Sequence, residues 1–346
     1  MTLLMQAPAG RITLKQGGGG RAMRALIERL FVRDFATLPF EGVGIAAMDD
    51  GAAVRIGDEW LVITTDSHVI HPIFFPGGDI GRLSICGTVN DLAMMGATNV
   101  LALTCSVILE EGFAMESLEA IQRSMIAACR EANAPVVTGD TKVMGRRELD
   151  GVVINTCGIG LTRTVVRDNG LSAGDRIIVT GNIAEHGLAV MAARHSLGLE
   201  GDLVSDVAPM NSLIASVLDG FPGAVAAMKD PTRGGVSSAL HEMAAKSGVG
   251  IVLDERAIPV TPAVRAVGEL LGIDPLHVAN EGKALIGVHA DRADAVLQLL
   301  RAHPLGRSAA IIGTCTTERL GSVILDTGFG RRLLAEPEGE PLPRIC

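Results

Sequence analysis

The chain has 346 residues, 48% of them hydrophobic, which is enough material for two domains with ordinary cores and no need of staples. A net charge of −9 argues against nucleic acid or an anionic membrane as the main partner, so any anionic ligand needs locally concentrated positive charge. Aromatics are only 3%, with one Trp, no Tyr and 42 Gly, so the cores are packed from Ala, Val, Leu, Ile and Met.

In chain order, a Gly17 to Gly20 run precedes apolar residues at helical spacing from Arg21 to Val32, a flexible loop feeding a helix. β-Branched runs bounded by turn residues predict strands at 53–56, 60–65, 100–108, 135–138 and 151–160, with helices at about 80–95 and 115–132. Gly170-Leu-Ser-Ala-Gly174, rich in turn formers, marks a boundary. Beyond it, strands are expected at 175–181, 250–254, 284–289, 309–313 and 322–325. Helices are expected at 184–198, 209–219, 235–247, 261–271 and 291–301. Strand and helix alternate in both halves, so the class is α/β (mixed α+β), with domains at 1–165 and 170–331 and a mobile tail at 332–346.

The cysteines stand at 86, 105, 129, 157, 315 and 346, without a Cys-x-x-Cys or a zinc-like His partner, so neither disulfides nor structural zinc are expected. Five lie in apolar stretches where a buried, inert thiol is the ordinary state. Cys346 differs, because it ends a proline-containing tail; fourteen extended residues from Leu333 would reach roughly 46 Å. No export leader and no apolar run of about 18 residues is seen, so the expected compartment is the reducing cytoplasm, with no membrane association.

Three apolar runs end in an acid, at Asp66, Asp140 and Asp230; Asp49 and Asp50 form a turn, and Asn90-Asp91 lies in a helix-like segment. One such acid is ordinarily a turn former or helix cap, but several together suit Mg²⁺, which takes a few carboxylates plus phosphate oxygens and water. No Walker A loop exists: Gly282-Lys283 is followed by Ala284, and His277 stands where a glycine is required. Phosphates could instead meet backbone N–H groups of Gly17 to Gly20 or of the helix opened by Asp230-Pro-Thr-Arg-Gly-Gly235, with Arg233, Lys142 and Lys283 as cations. Glu281, at the mouth of the 284–289 strand, reads either as a general base or as a turn glutamate paired with Lys283.

These motifs, together with Phe74-Phe-Pro-Gly-Gly-Asp-Ile-Gly81, Thr138-Gly-Asp-Thr-Lys-Val143, Asn280-Glu-Gly-Lys283 and the final Pro343-Arg-Ile-Cys346, resemble the HypE family over essentially the whole chain. These are carbamoyl dehydratases of nickel–iron hydrogenase maturation within the aminoimidazole ribonucleotide synthetase-like superfamily. The resemblance implies two α/β domains, the first serving ATP binding and dimerisation, and a homodimer with nucleotide near the subunit interface. It implies ATP and Mg²⁺ as cofactors. The implied reaction is dehydration of an S-carboxamide on Cys346 to an S-cyanide, after loading by a HypF-type carbamoyltransferase and before cyanide transfer to iron on a HypC/HypD scaffold. Matching positions imply Cys346 as carrier, Lys142 and Glu281 as the proton-handling pair, and Asp50, Asp66, Asp91 and Asp230 at the metal. Gly18, Gly19, Asn90, Thr138, Gly139, Asp140 and Arg233 are implied at the nucleotide. One departure is Gly18, where a serine is expected, so a hydroxyl contact to phosphate is missing there. Two rival readings stay open: a synthetase of the same superfamily acting on a free small molecule, and a non-catalytic carrier presenting Cys346.

Overall fold

The computed structural model describes residues 11–197, 203–338 and 345. The first half runs α1 (Gly20–Ile27), α2 (Arg33–Phe35), β1 (Gly42–Val43), β2 (Ala52–Ile56), β3 (Glu59–His68), β4 (Phe74–Phe75), β5 (Gly78–Asp79), α3 (Ile80–Met94), β6 (Asn99–Glu110), α4 (Met115–Ala132), β7 (Val136–Met144) and β8 (Val152–Thr162). The second half runs β9 (Arg176–Val179), α5 (Glu185–Arg194), α6 (Asn211–Gly220), β10 (Val225–Lys229), α7 (Gly235–Ser247), β11 (Gly250–Asp254), α8 (Pro262–Leu271), β12 (Leu285–Val288), α9 (Ala293–Ala302), β13 (Ala310–Thr316), β14 (Val323–Asp326) and β15 (Arg331–Leu333).

Two large sheets result among the described residues, ordered β1-β2-β3-β8-β6-β7 and β10-β12-β9-β13-β11-β14-β15, beside a two-stranded ribbon of β4 and β5. Each large sheet is antiparallel except for one parallel pair, β6 with β7 and β11 with β14. Between the halves lies α3, whose side chains are buried nearly all round, as its lack of a polar face dictates. Asp79 caps it by accepting from the Gly81 and Arg82 N–H groups, and it packs on β3 and β8 on one side and on α6 and β10 on the other.

The strand at 135–138 is longer than its sequence pattern, reaching Met144, and the helix at 184–198 stops at Arg194, followed by Ser196 in the left-handed region. The run before Asp230 is a strand, β10. The N-terminal helix is α only to Ile27, then continues as a π turn over Glu28–Val32.

The second sheet continues to Leu333, past the expected boundary at 331, and the described part of the tail is docked rather than free. Leu334 is buried, the Ala335 carbonyl accepts from Ser237 Oγ at 2.9 Å, and the carbonyls of Pro337 and Glu338 accept from the N–H groups of Arg21 and Ala22 in α1. Ile345 is fully buried. Cys346 lies outside the described residues.

Cys86, Cys105 and Cys315 are buried, and Cys129 and Cys157 half-buried; all five are unbridged. Burial raises the Cys86, Cys105 and Cys129 thiols and pushes Cys315 up to about 12. No helix among the described residues is long and apolar enough to cross a membrane.

Candidate active site

Segments far apart in sequence bring Asp49, Asp50, Asp66, Asp91, Asp230 and Glu281 around one cleft of about 470 Å³, with Thr232 and Arg233 on its wall. Asp50 follows the left-handed Met48, Asp66 lies near the end of β3, Asp91 sits on α3, and Asp230 and Glu281 flank the ends of β10 and β12. A recess of about 240 Å³ shares Asp50, Asp230, Thr232 and Arg233 and runs under the start of α1, where Gly19 and Gly20 line it. Gly18 is also buried.

Two glycine positions make this closeness possible. At Gly19, φ is +78° and a Cβ would stand 2.8 Å from Arg233 Cβ, so only glycine lets the loop lie against the Arg233 segment. On α3, a Cβ at Gly87 would stand 2.8 Å from His68 Nε2, in the space where β3 presents His68 and Asp66.

The cleft concentrates negative charge. Burial and the neighbouring charges of Asp230, Asp66 and Asp50 hold the Asp91 carboxyl well above the usual range, and burial with Asp50 and Asp66 nearby pushes Asp230 up to about 8. Burial, with Asp230, Asp66 and Asp206 nearby, also raises Glu281 well above its ordinary value, partly offset by Arg233. Asp66 goes the other way: burial opposes its ionisation, but His68 Nε2 at 3.2 Å, Arg233 and the Ser67 N–H outweigh it and hold the carboxyl at about 2. Thr64 Oγ1 lies 2.9 Å from both Asp91 Oδ2 and the Asp50 carbonyl. A protonated Asp91 completes that chain, donating to the hydroxyl, which donates to the carbonyl.

Such a cluster fits a hydrated Mg²⁺ better than an all-protein cage. Among the described residues no three His, Cys, Asp or Glu stand close enough to share an ion. Mg²⁺ ordinarily takes one or two carboxylates, keeps several waters and fills its shell with phosphate oxygens, and its charge would offset the burial and mutual repulsion that raise the Asp91 and Asp230 carboxyls.

Residues that sequence reasoning missed hold the site together. Lys229 Nζ lies 2.6 Å from Asp50 Oδ1, 3.4 Å from Asp168 and 3.5 Å from Glu242, while Lys246 Nζ lies 2.6 Å from Asp168. Asp49 pairs with Arg167 at 2.8 Å. This network pins the Asp49-Asp50 turn to the second domain. Lys229 was hidden inside the apolar run before Asp230; nothing local marks Asp168 or Lys246.

Asn280, fully buried, accepts from the Ala184 N–H and donates to the Pro231 and Val278 carbonyls, fixing the Asp230-to-Gly235 loop beside Glu281. The Glu281 N–H donates to Asp206 Oδ1 at 3.1 Å and its carbonyl accepts from Asn90 Nδ2 at 3.0 Å. Glu281 Oε1 is buried with no hydrogen-bond partner among the described residues. Lys283 pairs with Asp206 and Glu185, at 3.2 and 3.7 Å, and not with Glu281.

Other implied residues stand elsewhere. Asn90 is buried and acts as an interdomain strut: its amide donates to the Ala208 and Glu281 carbonyls and accepts from the Met210 N–H. Thr138, Gly139, Asp140 and Lys142 lie on β7, the exposed edge strand, where Lys142 pairs with Asp140 at 3.3 Å. Asp66 faces Thr156, Thr156 faces Cys105, and Cys105 faces Gly139, so β7 is three strand spacings, about 14 Å, from β3 in the same register. Lys142 and Glu281 are therefore not brought together within one chain.

With this geometry in view, the chain matches two families, AIR synthase related protein N-terminal domain over residues 48–162 and the C-terminal domain of the same name over 172–326. It is 47% identical to carbamoyl dehydratase HypE of Escherichia coli (strain K12) over 339 residues, covering 97% of this chain and 99% of that protein. It superposes on HypE in a crystal structure of a HypE–HypF complex with a TM-score of 0.83 at 41% identity, covering 90% of this chain and 100% of that one. A crystal structure of hydrogenase maturation protein HypE in complex with ATP gives a TM-score of 0.80 at 40% identity, covering 96% and 100%.

Proposed function

As the chain belongs to the carbamoyl dehydratase HypE family, we propose that it uses ATP to dehydrate an S-carboxamide on its own Cys346 to an S-cyanide. The observation that carries this over a synthetase acting on a free small molecule is the burial of Ile345, whose carbonyl is bonded inside the protein next to the segment that holds Glu281. A dispensable tail has no reason to bury its penultimate residue there.

The reaction must turn the carboxamide oxygen into a leaving group and remove both N–H protons. Transfer of the ATP γ-phosphoryl group to that oxygen achieves the first; breaking the C–O bond then releases phosphate as the C≡N bond forms. ADP, hydrogen phosphate, the thiocyanate and one released proton account for every atom. One or two carboxylates at a time from Asp50, Asp66, Asp91 and Asp230, with phosphate oxygens and water, would hold Mg²⁺, which when bound offsets the charge of the phosphates. The backbone amides at Gly19 and at the start of α7, beside Arg233, suit the phosphate oxygens. Glu281 Oε1 is suited to take a nitrogen proton, and its pKa, raised by burial above the ordinary carboxylate range, strengthens it as a base.

A homodimer completes this reading. All of β7 except Met144 is exposed, including Val136, Val137 and Val143, and a long apolar edge strand invites a second copy. Such a pairing would make good the separation of Lys142 from Glu281 within one chain. Val143→Glu is expected to yield a monomer by sedimentation, with dehydration lost. A HypF-type enzyme supplies the carbamoyl group, as the HypE–HypF complex supports, and a HypC/HypD scaffold receives the cyanide in the cytoplasm.

The decisive experiment gives the carbamoylated protein Mg-ATP and follows the Cys346 peptide by mass spectrometry. Loss of one water is expected, and none in Cys346→Ala, which should still bind ATP. Turnover of a soluble substrate by Cys346→Ala would favour the free-substrate synthetase instead.

A further inference from the structure

His186, on α5, is fully buried yet stands outside the acid-lined cleft. Its Nε2 lies 2.8 Å from the carbonyl oxygen of Ile345. A carbonyl can only accept, so Nε2 carries the proton. Nδ1 of the neutral ring is then an acceptor, and Ser205 Oγ lies 2.8 Å from it. Ser205 Oγ in turn accepts from the Val207 N–H at 3.1 Å, which leaves its own hydrogen for the ring. Each atom has one role, and the serine fixes the tautomer that grips the tail. Phe75 holds the ring edge-on, with centroids 5.4 Å apart at 88°, and the Ser205 N–H is itself tied to the Pro76 carbonyl. Burial favours the neutral ring, against the opposing charge of Asp206.

The placement of this grip ties it to the chemistry. The residue after Ser205 is Asp206, whose Oδ1 accepts the Glu281 N–H, so neighbouring residues orient the ring that grips the tail carbonyl and hold the base. Two residues on, the Ala208 carbonyl meets Asn90, which also holds the Glu281 carbonyl. Glu281 Oε1, buried and without a partner among the described residues, is an acceptor awaiting a donor. The thiol-bearing residue follows Ile345 directly, and consecutive Cα atoms are about 3.8 Å apart, so pinning the Ile345 carbonyl bounds where the carboxamide N–H groups can go.

We infer that His186, oriented by Ser205, is a positioning residue for the reaction: its Nε2–H grips the main-chain carbonyl before the modified cysteine and sets the reach of the carboxamide to Glu281. The grip reads main chain, while the buried Ile345 side chain selects an aliphatic residue at that position. This inference rests on Cys346 being the substrate carrier.

The test uses full-length protein carbamoylated on Cys346. His186→Leu is expected to bind ATP as the wild type does and to accept the carbamoyl group at least as readily, since it loosens the grip on the tail. Its single-turnover dehydration with Mg-ATP should slow by about 10²-fold, the scale that a 1 Å misplacement costs. In the unmodified protein, iodoacetamide should alkylate Cys346 faster than in the wild type. His186→Gln, whose amide N–H can donate to the same carbonyl, should recover most of the rate and of the protection. Should His186→Leu fail to fold, Ser205→Ala removes only the hydroxyl and should show the same faster alkylation. Wild-type alkylation and dehydration in His186→Leu or Ser205→Ala, or equal slowing in the Leu and Gln variants, overturns the inference. Failure of the loaded wild type to lose water instead overturns the carrier reading.

Discussion

Glu281→Gln is expected to cut single-turnover dehydration by about 10²–10⁴-fold, the usual worth of a positioned acid–base group, while ATP binding stays at the wild-type level. The substitution is clean because the contacts that place residue 281 are made by its backbone, the N–H to Asp206 and the carbonyl from Asn90, and survive in the variant. Glutamine also mimics the protonated carboxyl that burial favours, so no loss of stability is expected. The wild-type rate should climb as pH rises through the raised pKa of Glu281 and then level, because only the ionised form can take a proton. Mass spectrometry of the carbamoylated variant checks this, and wild-type turnover would remove Glu281 from the proton-handling role.

Asp230→Asn is expected to separate stability from binding. With its folded pKa at about 8, against about 3.9 for an ordinary aspartate, Asp230 favours the fold when protonated. That contribution is full below about pH 4 and is lost as pH rises through about 8. Asparagine cannot ionise, so the ligand-free variant should melt progressively above the wild type between those limits, by about 2–4 °C for each kcal/mol removed. The same variant should lose Mg-ATP affinity by more than the roughly 10–100-fold that a mere outer-shell partner is worth. Calorimetric scans across pH, with and without Mg-ATP, measure both; melting curves that run parallel at every pH would sink the electrostatic account.

Much of the frame was legible because it is local. The apolar runs ending at Asp66 and Asp230, the Asp49-Asp50 turn and the Asn280-to-Lys283 segment at the mouth of a strand each flagged a residue that lines the cleft. The glycines at 19 and 234 were readable as loop residues, and their left-handed φ values, +78° and +79°, give the reason. What stayed hidden depends on pairings far apart in sequence. Lys229 looked like part of an apolar run, yet it is the buried counter-ion of Asp50. Asn90 stands beside Asp91 in sequence, but on a helix their side chains diverge, one toward the Glu281 backbone and the other into the cleft. His186 was visible only as a residue of an apolar helix, since its partner is 159 positions away. Lys142 and Glu281 were joined by the family resemblance alone, since sequence carries no strand order, and β7, which bears Lys142, is the outermost strand of its sheet.

Gly20 is the only residue of α1 that is buried, so this helix has almost no interior of its own. What fastens it is the far terminus: Arg21 and Ala22 are bonded to the carbonyls of Pro337 and Glu338, Glu338 pairs with Lys15 and Arg21, and Glu336 pairs with Arg24. Residues 15–24 and 336–338 thus form one cooperative unit, and undocking either segment should fray the other. Lifting either segment breaks the same backbone bonds and ion pairs, so amide protons of residues 21–24 and 336–338 should exchange together and ahead of those in the two sheets.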